Sequence, residues 1–369
     1  MRILHQLHIK GFKSIRDQKL VFNPLNVFIG SNGSGKSNLV GTFHLLNRVS
    51  NQQLQVYTGE SGGANTILHF GRKHTEKLYF EIEFRIGTKA NLYEFELKPT
   101  DEDRFIFLSE ATYFQDTVKY KMPYLDEAWT GDEAWTGHAE ARLAESNKYI
   151  AKHIREHLDS YRIYHFHDTS SSARMKQSGD VADNRYLRAD AGNLAAFLYR
   201  LQEKEPDRFR NIEDTVRQMA PFFGGFKLAP SALNEEKIRL EWYEKGSDIY
   251  FNGASLSDGT LRFICLATLL LQPVLPSVIL IDEPELGLHP AAIQILAGLL
   301  QSAATRTQLI VATQSVTLVN QLLPEHVWVV EREDGQSVFR QIKEADMSNW
   351  LEDYGLGELW EKNILGGRP

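Results

Sequence analysis

The sequence lacks most of what a secreted or membrane-bound protein requires. Its 369 residues include one cysteine, Cys265, which excludes an intramolecular disulfide framework and a cysteine-rich zinc site and fits a reducing cytosol. The first residues have no apolar core of a secretion signal. The most apolar stretch, 261–281, has the length of a membrane span of about 20 residues, but Arg262, Pro273 and Pro276 interrupt it. We interpret it as a buried helix followed by a buried strand, and we expect a soluble, cytoplasmic protein without membrane contact.

An excess of positive charge is also missing. The chain has 41 Lys and Arg residues and 48 Asp and Glu residues, so its formal net charge of −7 offers no general attraction to phosphate backbones. Basic residues cluster around the loop 168–190, but aspartates are interleaved with them, and we favour a solvated loop. Binding of DNA in a local groove stays open. The 42% of hydrophobic residues suffice for a substantial core and rule out a wholly disordered chain.

Apolar periodicity predicts an α/β beginning and an α/β end with an insertion between them. Strands at 3–12 and 26–29 precede a helix at 36–49, and from Ser257 onward helices and strands alternate as in a mainly parallel sheet. Between these parts, alternation of apolar and charged residues at 77–87 predicts half-buried antiparallel strands. Further predicted elements are strands at 18–22, 91–98, 161–166 and 226–251, and helices at 139–158, 193–203 and 206–219.

The clearest motif is a complete phosphate-binding loop of the pattern G-x-x-x-x-G-K-[ST] between a predicted strand and a predicted helix. Its residues are Gly30, Ser31, Asn32, Gly33, Ser34, Gly35, Lys36 and Ser37, and Asn38 follows them. The glycines allow successive N–H groups to point at phosphate oxygens, and the positive end of the helix reinforces them. Lys36 is expected to reach the β- and γ-phosphates of ATP, and Ser37 to offer its hydroxyl to Mg²⁺. The alternative, a Gly-rich turn without a ligand, fits this complete motif poorly.

A second half of the site follows a buried strand. The run Val278–Ile281 ends in two adjacent carboxylates, Asp282 and Glu283. Asp282 is placed to hold Mg²⁺ through water, and Glu283 to polarise the attacking water as general base. A solvated acidic turn would be the better interpretation of this segment alone, but the phosphate loop upstream makes it the minor one.

Three further motifs carry a family resemblance. Residues 256–260 are Leu-Ser-Asp-Gly-Thr, residues 285–290 are Glu-Leu-Gly-Leu-His-Pro, and residues 9–14 are Ile-Lys-Gly-Phe-Lys-Ser. With the phosphate loop, they resemble the ATP-binding-cassette (ABC) ATPases of the RecF and SMC type, particularly the stand-alone AAA-21-like ATPases. The resemblance implies an α/β fold, an ABC-type P-loop NTPase with a mixed sheet, an antiparallel β-lobe and an inserted helical region. It places Lys13 and Ser14 of the opening motif among the nucleotide-binding residues.

The resemblance also implies a homodimer with two ATP molecules at its interface. Ser257 and Gly259 would contact the γ-phosphate bound by the partner chain. Considered without the family, Ser257 is a good N-cap for the helix that follows, and a cap can also serve an anion.

The domain organisation that follows from these motifs has four parts. Residues 1–125 form the N-terminal part of the ATPase domain, with the phosphate loop and the β-lobe. Residues 126–225 form an inserted loop and helical region, in which a duplicated Asp-Glu-Ala-Trp-Thr-Gly hexamer indicates a tolerant surface loop. Residues 226–345 form the C-terminal part, with the signature motif Leu-Ser-Asp-Gly-Thr at 256–260 and the Walker-B strand that ends in Asp282 and Glu283. Residues 346–369 form a tail.

The sequence departs from the family's pattern in three places. Asp258 stands where transporter signatures often have glycine. Gln314 stands where the switch histidine usually stands; it can hydrogen-bond a γ-phosphate or water but cannot titrate, so slow or regulated hydrolysis is expected. We count Gln314 with Glu283 and Lys36 as catalytic. Gln177 is a weak candidate for the Q-loop glutamine, and no other is assigned.

Two classes of function stay open. The first is an ATPase that dimerises on ATP and couples hydrolysis to DNA repair or antiviral defence. The second is a slow, ATP-gated sensor or scaffold that controls a separate toxin or nuclease. Too few residues follow Glu331 for a C-terminal nuclease domain, so we expect such an effector to be a separate chain. The opening motif, the long insertion and the signature argue against a third class, a transporter subunit.

Overall fold

A computed structural model of the chain describes residues 3–87, 89–116, 120–124, 137–146, 148–351 and 353–368. The duplicated hexamer lies outside the described residues except for its last residue, Gly137. The strands are β1 (Ile3–Phe12), β2 (Ile15–Val21), β3 (Leu25–Ile29), β4 (Leu78–Ile86), β5 (Lys89–Pro99), β6 (Phe105–Asp116), β7 (Tyr120–Tyr124), β8 (Tyr161–Tyr164), β9 (Gly179–Asp180), β10 (Phe223–Phe226), β11 (Lys237–Ile238), β12 (Glu241–Glu244), β13 (Tyr250–Asn252), β14 (Val278–Asp282), β15 (Gln308–Ala312), β16 (Val327–Glu333) and β17 (Gln336–Gln341). The helices are α1 (Lys36–Ser50), α2 (Leu54–Glu60), α3 (Ala64–Ile67), α4 (Tyr149–Asp159), α5 (Leu194–Lys204), α6 (Pro206–Met219), α7 (Asp258–Leu271), α8 (Pro290–Ala304), α9 (Val316–Val319), α10 (Glu344–Leu351) and α11 (Leu356–Glu361).

A mixed six-stranded sheet positions the predicted site. Its strand order is β17-β16-β3-β15-β14-β8, and its neighbouring pairs are parallel except for the antiparallel edge pair β16–β17. β3 and β15 are buried along their whole length, as expected of strands covered on both faces. Because parallel strands end at the same edge of a sheet, the segments that follow β3, β15 and β14 lie side by side.

The two faces of this sheet pack into different cores. Val27, Ile29 and Val311 belong to a cluster with the buried faces of α5 to α8. Phe28 and Ile310, which alternate with them along the strands, belong to a cluster with α1, α4 and the N-terminal strands. Because successive side chains of a strand point to opposite faces, one face of the sheet packs on a helical layer and the other packs on a β-rich layer.

The β-rich layer is a second six-stranded sheet, ordered β2-β1-β4-β5-β6-β7 and antiparallel throughout. Along β4, the alternation is as predicted: Leu78, Phe80, Ile82 and Phe84 are buried, and the residues between them are less so. The helical layer also carries two small sheets, β10-β12-β13 and β9-β11.

One predicted helix is too long. The pattern at 139–158 predicts a continuous helix, but α4 begins at Tyr149, and the earlier part contains only the 3-10 turn Arg142–Ala144. The backbone N–H groups of Arg142 and Leu143 each donate to the buried Glu110 carboxylate at 3.0 Å. The Glu110 carboxylate from β6 therefore accepts the N–H groups that helical carbonyls would otherwise bind. The sequence around 139–148 contains no sign of this distant acceptor.

The segment 168–190, expected to be a solvated loop, contains the short strand β9, and the buried side chains of Ala173, Met175 and Leu187 anchor it to the core. Sequence periodicity missed α2, α3, α10, α11, β6, β7, β9 and β17. The division into four parts stays a prediction, to which the structure adds that β8, from within 126–225, forms an edge of the mixed sheet. None of the helices within the described ranges combines the length and apolarity that a bilayer span requires.

Candidate nucleotide-binding site

The phosphate loop connects β3 to α1, as predicted. Gly30, Gly33 and Gly35 have φ angles of 154°, 78° and 119°, which L side chains rarely adopt. A Cβ atom on Gly35 would lie 2.0 Å from Ser337 Oγ, and one on Gly30 would lie 2.2 Å from the Val330 carbonyl oxygen. The hairpin β16–β17 therefore requires glycine at positions 30 and 35, whether or not a phosphate is bound.

Lys36 folds back over this loop. Its Nζ donates to the carbonyl oxygens of Gly30 at 2.6 Å and Ser31 at 3.0 Å, and the residue is only 7% exposed. Burial lowers the pKa of the Lys36 ammonium, and the carboxylates of Glu283 and Asp282 oppose that shift. Phosphate oxygens are stronger acceptors than carbonyl oxygens. The ammonium can therefore exchange its present partners for phosphate oxygens at the same loop.

Asp282 ends β14 and faces the loop from two strands away. Burial raises the pKa of the Asp282 carboxyl, and the neighbouring Glu283 carboxylate raises it further. His165 and Lys36 act in the opposite direction. A bound cation would relieve this concentration of buried negative charge.

Glu283 follows in a left-handed conformation, with a φ of 44°. For a residue other than glycine this costs about 1 kcal/mol. Its N–H donates to the Ala312 carbonyl at 2.8 Å, which continues the β14–β15 ladder past the end of the strand. The turn therefore directs the Glu283 carboxylate out of the strand line, towards the end of β15.

The Gln314 amide meets that carboxylate. Its Nε2 donates to Glu283 Oε1 at 2.6 Å. Gln314 is itself held by Glu285, whose Oε1 accepts the Gln314 backbone N–H at 3.0 Å and the Thr313 hydroxyl at 2.6 Å. Burial raises the pKa of Glu285. Sequence reasoning placed Gln314 near the reaction but did not find Glu285, which the Asp-Glu-Pro-Glu run could have indicated.

The oxygen donors at this edge fit Mg²⁺. The Ser37 hydroxyl and the Asp282 carboxylate are ligands of the type that Mg²⁺ prefers, and it commonly keeps several waters and phosphate oxygens as well. Within the described ranges, no group of three or more His, Cys, Asp or Glu side chains could hold a metal unaided. Ser34 Oγ, inside the loop, is buried without a hydrogen-bond partner among the described residues. These features fit an ion held jointly with a phosphate ligand.

The opening motif supports the loop through hydrogen bonds. Ser14 Oγ accepts from Asn38 Nδ2 at 2.6 Å and lies 2.7 Å from Ser337 Oγ. Lys13, with a φ of 48°, has its carbonyl bound by His69 Nδ1 at 2.6 Å. Ser14 and Asn38 therefore lie beside the loop and hydrogen-bond each other, and their contact with a nucleotide stays a prediction.

The signature begins α7. Ser257 Oγ accepts the Thr260 N–H at 3.2 Å, so Ser257 is the predicted N-cap, and it is exposed. A Cβ atom on Gly259 would lie 2.3 Å from the Gly287 carbonyl oxygen. Its own chain therefore requires glycine at 259, whatever a partner chain contributes. Asp258, the residue that departs from transporter signatures, pairs with Lys176 Nζ at 3.3 Å.

Arg262, which the sequence showed only as a charge within an apolar helix, links α7 to the Walker-B side. Its guanidinium donates to the carbonyl oxygens of Leu286 and His167 at 2.8 Å each and of Phe166 at 3.1 Å. The His167 ring donates from Nε2 to the Asp282 carbonyl at 2.8 Å. The feature of the sequence that could have indicated this role is the single arginine within an otherwise apolar helix.

Gln177, the weak candidate for the Q-loop glutamine, is exposed, and its Nε2 donates to Ser171 O at 2.8 Å within its own loop. Among the residues that the structure describes, this side-chain hydrogen bond does not reach the phosphate loop. His165 stacks on His44 with ring centroids 6.0 Å apart, and burial lowers the pKa of both imidazoles.

Comparisons with known proteins agree with this geometry. The family model described as "AAA domain, putative AbiEii toxin, Type IV TA system" matches residues 25–320. The OLD nuclease of Thermus scotoductus is 24% identical, over 99% of this chain and 68% of that protein.

Among solved structures, an SMC head bound to the C-winged helix domain of ScpA has a TM-score of 0.58 at 16% identity, covering 93% of this chain and 99% of that one. A head with an extended coiled coil, derived from Pyrococcus furiosus and bound to the C-terminal domain of ScpA, has a TM-score of 0.56 at 16% identity and covers 96% and 99%. These likenesses show the fold. The expected resemblance and fold class are confirmed.

Proposed function

Since the chain belongs to the AAA-domain family whose model matches residues 25–320, we propose that it binds ATP with Mg²⁺ and hydrolyses it to ADP and phosphate. The observation that carries this proposal is the strand order β3-β15-β14, which brings Lys36, Gln314 and Glu283 to one edge of the sheet. The Glu283 carboxylate acts on the pKa of Lys36, so the predicted base and the predicted phosphate-binding cation share one site.

In this proposal each residue has one task. The N–H groups at the start of α1 and the Lys36 ammonium bind the phosphates. Ser37 and Asp282 hold Mg²⁺, whose charge offsets that of the β- and γ-phosphates. Glu283 accepts the proton of the attacking water, and Gln314 orients the Glu283 carboxylate through the amide that donates to it.

We extend the proposal to a homodimer in which each chain completes the other's site. Ser257 is exposed at the N-terminus of the 14-residue helix α7, where backbone N–H groups favour an anion. Leu286, whose carbonyl Arg262 binds, is 43% exposed and offers an apolar contact. Two of the similar SMC heads are described as bound to domains of ScpA, which supports a separate protein partner for this chain.

For the cellular role we propose DNA repair or antiviral defence in the cytoplasm. The OLD nuclease relative supports a pathway that acts on nucleic acid, and the family description, which includes a putative toxin, supports defence. A second candidate is a slow, ATP-gated sensor or scaffold that controls a separate toxin or nuclease. The contact between Gln314 and Glu283 favours it, because an amide without a titratable proton engages the base.

Glu283→Gln tests the proposed activity. The variant should keep its affinity for ATP and Mg²⁺ while turnover falls by about 10²- to 10⁴-fold, the usual contribution of general base catalysis. Because ATP then persists, light scattering should show more dimer in the variant than in wild type. Lys36→Ala is the matched control, since it should lose nucleotide binding and show no ATP-dependent dimer. Wild-type turnover in Glu283→Gln would assign the base to another residue.

A further inference from the structure

Ser337 is fully buried in β17, and it contacts the phosphate loop across 303 positions of sequence. Its Oγ lies 2.5 Å from the Ser34 carbonyl oxygen and 2.7 Å from Ser14 Oγ. Its backbone N–H donates to the Ser14 carbonyl at 2.7 Å. The side chain of Ser337 therefore joins the opening motif to the loop.

The direction of these hydrogen bonds follows from the two terminal groups, one of which can only accept and the other only donate. The Ser34 carbonyl can only accept, so Ser337 Oγ donates to it. The Asn38 amide nitrogen can only donate, so Ser14 Oγ accepts from Asn38 and donates in turn to Ser337. The four groups form a directed chain from Asn38 through Ser14 and Ser337 to Ser34, and bonds in such chains strengthen one another.

The last bond of this chain sets the orientation of one peptide group in the loop. In a trans peptide the C=O and N–H groups point in opposite directions. Because Ser337 holds the Ser34 carbonyl, the N–H of Gly35 in the same peptide group points away from Ser337 and β17. The same contact leaves no room for a side chain on Gly35, whose Cβ would lie 2.0 Å from Ser337 Oγ.

We propose that Ser337 is a positioning residue for phosphate binding, whose hydroxyl holds the Gly35 N–H in the direction that a phosphate oxygen requires. The inference rests on the proposed function. Ser337 lies beyond residues 25–320, so the family match does not include it. The hairpin β16–β17 is accordingly a part of the nucleotide site supplied from the C-terminal side of the chain.

The test compares ADP affinity with stability in variants that remove one hydroxyl. Ser337→Ala should weaken binding of ADP with Mg²⁺, measured by calorimetry, about tenfold, the loss expected for one hydrogen bond. Ser50→Ala is the matched control, because Ser50 is also buried and its Oγ donates to Asp159 Oδ1 at 2.6 Å, but at the other end of α1. It should lower the urea midpoint of unfolding and leave ADP affinity unchanged.

A second pair of variants separates the loss of the hydroxyl from a change in the shape of the side chain. Ser337→Thr and Ser337→Val differ by the hydroxyl alone, and the Thr variant should bind ADP about tenfold more tightly than the Val variant. Ser14→Ala, in the turn between β1 and β2, removes the hydroxyl that donates to Ser337. Adding it to Ser337→Ala should therefore cost no more affinity than Ser337→Ala alone.

The outcomes separate the two proposals. If wild type binds ADP and Ser337→Ala binds it equally well, with only a lower urea midpoint, Ser337 is merely structural and the inference is wrong. Equal ADP affinities for the Thr and Val variants would overturn it in the same way. Absence of ADP binding by wild type would overturn the proposed function and this inference with it.

Discussion

Gln314→Ala removes the amide that donates to the Glu283 carboxylate at 2.6 Å. A hydrogen bond to a charged group contributes about 1.5–3 kcal/mol. If this bond orients the base in the transition state, its loss should lower kcat by about 10- to 150-fold. Because the Gln314 backbone N–H still donates to Glu285, the end of β15 should keep its position, and KM for ATP should change little.

The assay is steady-state release of phosphate by wild type and variant at saturating Mg²⁺, together with ADP affinity. Gln314→Glu is the matched variant, because it keeps the size of the side chain and replaces the donor with a second carboxylate. Two carboxylates at this distance raise the pKa of the pair, since one proton is shared between them. The activity of Gln314→Glu relative to wild type should therefore rise as pH falls from 8 to 6.

Wild-type kcat in a folded Gln314→Ala protein would refute this reasoning. An unchanged kcat with a raised KM would mean that the amide binds the nucleotide instead of orienting Glu283. A Gln314→Glu variant that follows the pH profile of wild type would show that the two side chains separate when ATP binds.

Two more predictions concern charge and assembly. Asp282→Asn should stabilise the nucleotide-free protein towards urea at pH 7.5, because burial raises the pKa of Asp282 and so disfavours its charged form. Wild type regains that stability as pH falls through the raised pKa, so the difference between the two proteins should shrink towards pH 4, and a pH-independent difference would contradict the assignment. Ser257→Arg should block hydrolysis without changing ADP affinity, and mixing it with Lys36→Ala should restore part of the ATPase rate, because one composite site of the mixed dimer carries neither defect. Gly259→Arg is unsuitable for this test, since Gly287 of the same chain excludes its side chain. If the two folded variants exchange subunits without any recovery, completion of the site by the partner's Ser257 loses its support, unless mixing each variant with wild type shows that the two sites are coupled.

Local chemistry made part of the fold and of the candidate site predictable. The loop of glycines before Lys36 and the cap at Ser257 depend on residues a few positions apart, and both lie where the sequence placed them. The helix Pro206–Met219 has its predicted bounds, because proline at its first position marks the start without ambiguity. The apolar run that ends in Asp282 is long enough, and sharply enough bounded, to be recognised as a buried strand.

The phosphate loop, the acidic strand end and the α/β order are predictable because each depends on residues that are close together in the sequence. Which strand ends lie side by side depends on how the strands are ordered in the sheet. The contacts of Gln314 with Glu283 and of Ser337 with Ser34 follow from the strand order β17-β16-β3-β15-β14. Periodicity identifies a strand and its buried faces but carries no information about its neighbour in the sheet, because pairing depends on backbone groups that every strand presents alike. For the same reason the sequence did not predict the role of Glu110, which lies on a distant strand and binds the backbone where a helix was expected.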